Sequence, residues 1–452
     1  MADLLIISSR LDPFPNVATE ALTSGLPVLC FEKTTGIAHF LTEHGLGEQC
    51  VAKYLDTRDL ARKVRALADD DGLRANVSER SRAAAEAAFD MNAYVSKIEA
   101  IAVQAMGDQS RVSEEIESIL MSGKFRADFF KHAGVEKLSE EKIIENYLLR
   151  VACGLGIRKP MPGFHPTVFS MLHASEGPAK YDPFVDFLQK GLPAGPWLQK
   201  VIQDGVQRKA GTRAALHLHA FYPDLVPGIV RRLHFNACFP DLFVSVCTSE
   251  GAAEVRKALS GYRGRLCDLE VTPNLGRDFG PLLTQFGRAL CSDYDIIGHL
   301  HTKKSVHVAD RPFIEAWNTF LLENMIGGER GGAMLDAILS QMELDSGIGL
   351  VFPDDPHVIS WTQNRRLAED LATRMKLGDL PEQFNFPVGS MFWVRSSVLS
   401  RFVELDLAWN DYPPEPIPID GTLVHAFERL FGVVPATMGM RCAVTNIPGL
   451  TR

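Results

Sequence analysis

The sequence predicts an α/β protein in three parts, and two observations lead to that prediction. Short apolar runs alternate with helical stretches at both ends of the chain, over residues 1–105 and again over 199–452. Between them, residues 106–198 have the pattern of amphipathic helices separated by turns rich in proline and glycine. Alternating strands and helices are typical of a parallel sheet covered by helices. We therefore expect two α/β domains joined by a helical connector.

The first part begins directly with a strand. The run ADLLIISS is continuously apolar, as strands buried in a parallel sheet are. A helical stretch, NVATEALTSG, follows it and ends at Gly25, and LPVLCF is the next strand. Further helical stretches, starting with GIAHFLTEHG, complete a β-α-β-α order. Because the domain opens in the middle of this pattern, we expect residues 1–105 to be truncated at the front.

The second part, the connector, is predicted to be helical. The segments VSEEIESILMSG, SEEKIIENYLLRVACGLG and YDPFVDFLQKGLP have apolar residues at helical spacing. The turns RKPMPGFHP and PAGPW interrupt them. We find no cluster of catalytic residue types in this part.

The third part resumes the alternation at about residue 209. Four strands are predicted, RAALHLHAF, LFVSVCTS, CDLEVTP and DYDIIGHLH, with a helix after each of the first three. This order predicts a doubly wound sheet, in which ligands bind beyond the carboxyl ends of the strands. The unusual residues stand at those ends: His217, His219 and Tyr222 after the first strand, PNLGRD after the third and HTKKS after the fourth.

Two of these ends suggest an anion site. In NLGRDFG, which starts at Asn274, Gly276 permits a tight turn and Arg277 offers a planar cationic fork for phosphate. Asp278 is suited either to cap the next helix or to face a ligand. The alternative for this loop is a plain turn with a capping aspartate.

The segment HLHTKKS gives a second, sharper signal. His299 and His301 are two residues apart on a strand, so their side chains share a face, where an HxH pair can bind a metal. Lys303 and Lys304 favour a diphosphate instead, because two ammonium groups repel a divalent cation. The plain alternative is a solvated basic turn.

Three further positions are candidates for contact with an acceptor. The small pair Gly389 and Ser390 opens the strand FPVGSMFWVR and would let a ligand approach the backbone. Asp420 follows the proline-rich loop PPEPIPI and precedes a helix. It is either an N-cap or a general base for a hydroxyl group.

Composition excludes some classes of protein. The net charge is −9, from 47 basic and 56 acidic side chains, which argues against a general nucleic-acid binder. The N-terminus lacks the pattern of a signal peptide, and no apolar run reaches the roughly 18 residues of a membrane span. The eight cysteines are scattered without a CxxC pair, which predicts free thiols and a cytoplasmic location.

The motif SSRLDPFPNVATEALTSGLPVLCFE in the first part resembles the nucleotide-binding half of family 4 GT-B glycosyltransferases. The signature of that family is an acidic residue, seven others and then Glu, which here falls on Asp12 and Glu20, with Asn16 between them. The resemblance implies a partial Rossmann-like half that binds a nucleotide through these residues. The family usually has Glu at the position of Asp12.

Residues 209–445 resemble the rhamnan synthesis protein F family of bacterial polysaccharide and O-antigen assembly. Five motifs carry the resemblance in the family's order: LHLHAFYPDL, PNLGRDFGPLL, HLHTKKS, FPVGSMFWVR and DGTLVHAFERL. The resemblance implies a GT-A-like sheet over 199–452, a nucleotide-diphosphate sugar as the donor and a growing glycan as the acceptor. In a typical GT-A enzyme the fourth strand ends in Asp-x-Asp and holds Mg²⁺ or Mn²⁺. This chain has HLHTKKS there, which puts metal dependence in doubt and favours cationic side chains in the metal's place.

On this basis we assign roles to the candidate residues as a hypothesis, with inversion at the sugar carbon as the expected outcome. The donor would contact His217, His219, Tyr222, Asn274, Arg277, Asp278, His299, His301, Lys303 and Lys304. The acceptor would lie against Gly389 and Ser390, and Asp420 would remove its proton.

The expected donor sugar is a deoxyhexose such as rhamnose, and the acceptor is polysaccharide or lipid-linked. We therefore expect peripheral membrane association and contact with other glycan-assembly proteins. Two alternatives stay open: a glycan-binding or scaffolding protein without catalysis, and an HxH metallohydrolase acting on sugars.

Overall fold

The structure, a computed structural model, describes residues 3–10, 12–130, 138–152, 157–173, 181–203, 212–302 and 311–451. It divides the chain into two compact units, residues 1–111 and 112–452. Each unit contains a largely or wholly parallel sheet with helices, so the predicted α/β class is confirmed. In the described part of the chain, no helix has the length and apolar character needed to cross a bilayer.

The strands are β1 (Leu5–Ile7), β2 (Val28–Phe31), β3 (Val51–Ala52), β4 (Lys200–Ile202), β5 (Ala214–His219), β6 (Asp241–Val246), β7 (Leu266–Val271), β8 (Ile296–His301), β9 (Ile348–Pro353), β10 (Phe392–Arg395) and β11 (Arg441–Thr445). The helices up to the first long strand are α1 (Asn16–Thr23), α2 (Gly36–Glu43), α3 (Gly47–Cys50), α4 (Thr57–Asp69), α5 (Asp71–Ala88), α6 (Met91–Ser122), α7 (Ala127–Phe130), α8 (Glu140–Ala152), α9 (Pro166–His173) and α10 (Pro183–Gln189). The later helices are α11 (Val226–Leu233), α12 (Ser249–Ala258), α13 (Gly287–Asp293), α14 (Arg311–Ile326), α15 (Met334–Leu344), α16 (Arg365–Met375), α17 (Ser396–Val403) and α18 (Leu423–Thr437).

The first unit is built on a three-stranded parallel sheet in the order β1-β2-β3. All four residues of β2 are buried, as its continuous apolar run predicted. The helices begin where the sequence provides caps: the carboxylates of Asp56 and Asp70 accept backbone N–H bonds at the starts of α4 and α5.

The second unit is built on an eight-stranded sheet in the order β4-β11-β9-β10-β8-β5-β6-β7. Strand β10 is antiparallel to both of its neighbours, and the other pairs are parallel. The chain adds β6 and β7 on one side of β5 and then returns to place β8 on the other side. The crevice beyond the carboxyl ends of β5 and β8 is therefore a topological switch point, where doubly wound sheets bind ligands.

Side-chain alternation along β5 gives the sheet two buried faces. Leu216 and Leu218 belong to one apolar core with residues of α11, α12, α14 and α15. Ala215 belongs to the other core, which includes residues of α13, α16, α17 and α18. His217 and His219 point to this second face because they are two and four residues from Ala215.

Gly298 in the middle of β8 is required by close packing. It lies opposite Trp393 of β10, and a Cβ atom on Gly298 would approach the indole of Trp393 to 2.6 Å. Trp393 is fully buried and its Nε1–H donates to the carbonyl of Met325 at 3.0 Å. The small residue thus lets the indole lie flat against the strand that carries the candidate histidines.

The segment predicted as a separate connector, 106–198, is largely part of the second unit, because the unit begins at residue 112. One physical reason is a buried ion pair: the ammonium group of Lys159 lies 2.6 Å from a carboxylate oxygen of Asp354, which follows β9. Asp354 also accepts a hydrogen bond from the backbone N–H of Gly163. In addition, β4 pairs with β11 at the edge of the sheet.

Candidate active site at the carboxyl edge of the second sheet

Four histidines share one face of the sheet at the crevice. The register pairs His217 with His299 and His219 with His301 across β5 and β8. Because each pair is two residues from the other along its strand, all four rings lie on the same side. The predicted shared face of His299 and His301 is therefore present.

A continuous chain of hydrogen bonds links three of these rings. Nε2 of His299 lies 3.0 Å from Asp278, and Nδ1 of His299 lies 3.0 Å from Nδ1 of His217. Nε2 of His217 lies 3.1 Å from the hydroxyl of Ser245, and the same hydroxyl lies 2.9 Å from Nδ1 of His219. This chain, which we call the histidine relay, consists of Asp278, His299, His217, Ser245 and His219.

The relay holds neutral rings and an ionised carboxylate. Burial lowers the pKa of His217 far below its ordinary value, lowers the pKa of His299, and lowers the pKa of His219 to about 4. Burial alone would raise the pKa of Asp278, but the neighbouring His301 and the hydrogen bond from His299 outweigh it and hold that pKa well below its usual range. Asp278 therefore accepts from His299 and does not cap a helix with its side chain.

The Asn274–Gly280 loop presents a guanidinium group next to Asp278. Both Gly276 and Arg277 have left-handed backbone, with φ of 68° and 49°. A Cβ on Gly276 would approach the ring of Tyr412 to 2.5 Å, so glycine is needed there. The guanidinium of Arg277 is 3.3 Å from Glu415, and its side chain is 41% exposed. Arg277 is thus held near the crevice yet remains accessible. Asn274, the first residue of the loop, is exposed.

His301 connects the crevice to the predicted acceptor side. Its Nε2 donates to the carbonyl oxygen of Gly389 at 2.9 Å. The backbone N–H of Gly389 in turn donates to Glu428 at 2.7 Å, and the hydroxyl of Ser390 donates to the same oxygen at 3.4 Å. Glu428 pairs with Arg429 at 2.9 Å. These contacts bring His301, Gly389 and Ser390 together with α18.

Asp420 lies at the far end of this network. Asn364 donates to Asp420 at 2.6 Å, Thr362 donates to its other oxygen, and Arg429 is 3.4 Å away. Partial burial would raise its pKa, but these donors and the charge of Arg429 hold it at about 2. Asp420 is not an N-cap by its side chain, because no side chain caps the start of α18.

His425, which was not among the candidates, lies between the two sides. It is half-buried, and Nδ1 is 2.8 Å from the hydroxyl of Thr422. Burial, followed by the cations of Arg277 and Arg429, lowers its pKa to about 4. It was missed although it lies in the motif DGTLVHAFERL, because nothing in that motif distinguishes it from the other residues of an amphipathic helix.

Several predicted residues are buried below the crevice or lie outside the residues that the structure describes. His217 and His299 are fully buried, so neither ring is accessible to a ligand in this conformation. Tyr222 is half-buried, and its backbone N–H donates to Thr302 at 2.8 Å. Thr302, a residue the motifs did not single out, thus ties the ends of β5 and β8 together. Lys303 and Lys304 lie outside the described residues.

The HxH pair does not make a metal-ligand set in the part of the chain that the structure describes. There, no group of three or more His, Cys, Asp or Glu side chains is arranged to hold an ion. Nε2 of His299 is hydrogen-bonded to Asp278, and Nε2 of His301 is hydrogen-bonded to a carbonyl oxygen. This arrangement does not fit the metal of Asp-x-Asp enzymes.

In the first unit, the three predicted nucleotide residues lie near the start of α1. Asp12 is half-buried and its backbone pairs with Thr35 in a short bridge. Asn16 and Glu20 are exposed on α1.

Comparisons with known proteins agree with these observations. A family model described as rhamnan synthesis protein F matches residues 192–440, and one described as glycosyl transferases group 1 matches residues 1–84. Their order is the one the motifs predicted. The chain is also similar to "Uncharacterized protein WxcX" from two strains of Xanthomonas campestris pv. campestris, with 31% identity over 245 residues, 53% of this chain and 34% of the relative. The chain thus spans about a third of the length of these relatives.

Proposed function

The chain belongs to the rhamnan synthesis protein F family, and from that premise we propose that it is a glycosyltransferase of polysaccharide synthesis. It transfers a sugar from a nucleotide-diphosphate donor to a growing bacterial polysaccharide or O-antigen. The donor sugar is a deoxyhexose such as rhamnose, and the sugar carbon is inverted. The acceptor glycan, polysaccharide or lipid-linked, enters from the side of Gly389 and Ser390.

One observation carries this proposal. The crevice at the switch point gathers an accessible guanidinium, an ionised carboxylate and imidazoles, and hydrogen bonds link it to a second group of polar residues at the start of α18. A transferase needs both sides, one for the departing diphosphate and one for the incoming hydroxyl. A site that only bound glycan would not need an ionised carboxylate held by a buried imidazole.

Positive side chains bind the donor diphosphate. Arg277 is the described cation at the crevice, and its ion pair with Glu415 is exchanged for phosphate oxygens when the donor binds. Lys303 and Lys304 are proposed to complete the charge on the basis of their place in the sequence after β8. A well-placed donor to developing negative charge contributes on the order of 3–4 kcal/mol in the transition state. The nucleoside lies against His219 and Tyr222, and His301 orients a donor hydroxyl.

We revise the base from Asp420 to His425. A carboxylate with a pKa of about 2 has little tendency to take a proton, whereas His425 has a neutral ring on which the charges of Arg277 and Arg429 act. When Nδ1–H of His425 donates to Thr422, Nε2 keeps its lone pair. The bound diphosphate offsets the two guanidinium charges and so raises the pKa of His425 when a base is needed. Asp420 then positions Arg429.

In the transfer step, the acceptor oxygen attacks the anomeric carbon while its proton moves to Nε2 of His425. The bond from the anomeric carbon to the diphosphate oxygen breaks, and its electron pair leaves with the diphosphate. Displacement from the opposite face inverts the anomeric carbon. No step is assigned to a metal.

The test is turnover of the purified chain with nucleotide-activated deoxyhexoses and polysaccharide acceptor, followed by release of nucleoside diphosphate. We expect release that depends on acceptor and a product of inverted anomeric configuration by NMR. Donor binding without any turnover would instead support the glycan-binding or scaffolding alternative. A product of retained configuration would contradict the single displacement.

A further inference from the structure

The histidine relay has one internally consistent arrangement of hydrogens. The carboxylate of Asp278 can only accept, so Nε2 of His299 carries a hydrogen and its Nδ1 is left as an acceptor. Nδ1 of His217 must then donate to His299, at a distance of 3.0 Å, and Nε2 of His217 must accept. Each neutral ring thus donates a hydrogen bond toward Asp278 and accepts one from the next group along the relay.

The arrangement continues through Ser245 to His219. The Ser245 hydroxyl donates to Nε2 of His217 at 3.1 Å, which leaves its lone pairs to accept from Nδ1–H of His219 at 2.9 Å. Nε2 of His219 is then unprotonated, and it makes no hydrogen bond to any described residue. His217, His299 and Ser245 are fully buried, so water does not supply an alternative partner to reverse the direction.

The end of the relay lies at the crevice. His219 is the last residue of β5, its carbonyl oxygen accepts from the N–H of Thr302 at 3.0 Å, and its register partner is His301. Nε2 of His219 is therefore a fixed acceptor on the proposed nucleoside side of the site. A phosphate oxygen, which can only accept, is rejected there, whereas an N–H or O–H group of the donor is bound.

We propose that the histidine relay, with Ser245 as its central positioning residue, fixes His219 as a hydrogen-bond acceptor that selects an N–H or O–H group of the nucleotide part of the donor. This inference rests on the proposed function for the identity of the ligand, while the tautomer of His219 is independent of it. It assigns a role to Ser245, and it makes Asp278 the anchor that sets the direction of the chain.

The tautomer is measured by NMR on the full chain labelled with nitrogen isotope in histidine, with His219→Gln to assign the signals. We expect His219 to carry its hydrogen on Nδ1 at neutral pH. In Ser245→Ala we expect a mixture of tautomers. A His219 with its hydrogen on Nε2, or a doubly protonated ring, in the wild-type chain overturns the proposal.

Binding supplies the second readout, with UDP, dTDP and GDP as nucleoside probes and inorganic pyrophosphate as the phosphate probe. We expect Ser245→Ala to weaken the tightest nucleoside diphosphate about tenfold, the effect of one hydrogen bond, and to leave pyrophosphate binding unchanged. Ser245→Thr retains the hydroxyl and should recover most of the affinity. Ser340→Ala, which removes a hydroxyl from a buried serine of α15, is the matched control and should change neither.

The outcomes separate this inference from the proposed function. A wild-type chain that binds none of the three nucleoside diphosphates contradicts the proposed function. A chain that binds one of them equally well with Ser245→Ala contradicts the role of the relay alone.

Discussion

Arg277 is the residue proposed to neutralise the negative charge of the donor diphosphate. Its left-handed backbone, with φ of 49°, is uncommon for a residue other than glycine and is typical of functional sites. We expect Arg277→Ala to lower kcat/KM by about 100-fold, since a donor to the departing diphosphate is lost. Arg288→Ala is the matched control, because that guanidinium is 80% exposed and pairs with Asp406 on the surface. Equal turnover in the two variants would remove Arg277 from the site.

The base is tested by a pair of variants on α18 and the turn before it. His425→Gln should lower kcat about 100-fold or more with donor affinity unchanged, and Asp420→Asn should lower it less. Because the diphosphate raises the pKa of His425, the acid limb of kcat should lie at higher pH than that of kcat/KM, and His425→Gln should abolish that limb. If Asp420→Asn is the more damaging of the two, the base is Asp420 as the sequence suggested.

At the residue scale, the sequence predicted the residues that form motifs and missed those whose role comes from position. The HxH pair and Asp278 were found, although their partners were not. Ser245 lies within the apolar run FVSVCTS, where a serine gives no signal until β6 is seen beside β5. The burial of His217 was not foreseen either, since alternation gives the face of a side chain but not its depth.

At the element scale, β1, β2, β5, β6, β7, β8 and β10 lie in predicted strands, whereas β3, β4, β9 and β11 were not predicted. Strands β5, β6 and β8 coincide with largely apolar runs, and β7 alternates apolar and polar residues. Strand β4 has three residues, and its sequence pattern is too short to distinguish from a loop. Strand β10 lies between β8 and β9 and is antiparallel to both. Its position depends on pairing with strands that are distant from it in the sequence.

The attachment of the segment before β4 to the sheet depends on Lys159 and Asp354. Both side chains are almost wholly buried, so Lys159→Met leaves an unpaired carboxylate and should destabilise the chain by about 3–5 kcal/mol. The double variant Lys159→Met/Asp354→Asn should recover much of this loss, because no charge is left buried. Denaturant unfolding measures both, with Arg288→Met as the surface control. A single variant no worse than the double would show that the pair does not hold the segment.

The N-cap of helix α10 is a carboxyl group whose titration should affect the free energy of unfolding. Burial raises the pKa of Asp182, the N-cap of α10, from 3.8 to about 7, and its hydrogen bonds from Tyr147 and Phe184 only partly oppose this. The folded state therefore binds the proton more tightly than the unfolded state, so stability falls as pH rises from about 4 to about 7. We expect the melting temperature to fall over this range in the wild type and to fall by at least about 2 °C less in Asp182→Asn. Asp186→Asn on the same helix is the control, and an identical pH response in all three proteins would exclude Asp182 as the cause.

At the scale of the whole molecule, two units resemble parts of sugar transferases, and we propose that the second carries out the chemistry. The first unit presents Glu20 and Asn16 on an exposed helix face, without a described cation beside them in a hydrogen bond or ion pair. The second unit has the switch-point crevice, the guanidinium and the histidine relay. The order of the two units was predictable from motifs because each carries a contiguous signature, whereas the extent of the second unit depends on contacts that no motif records.

The most direct measurement is a crystal structure of the chain with the nucleoside diphosphate that binds most tightly. We predict that the diphosphate lies against Arg277 at the carboxyl ends of β5 and β8, with the nucleoside beside His219. A ligand found only near Glu20 of the first unit, or a crevice with Arg277 turned away from the bound phosphates, would contradict it.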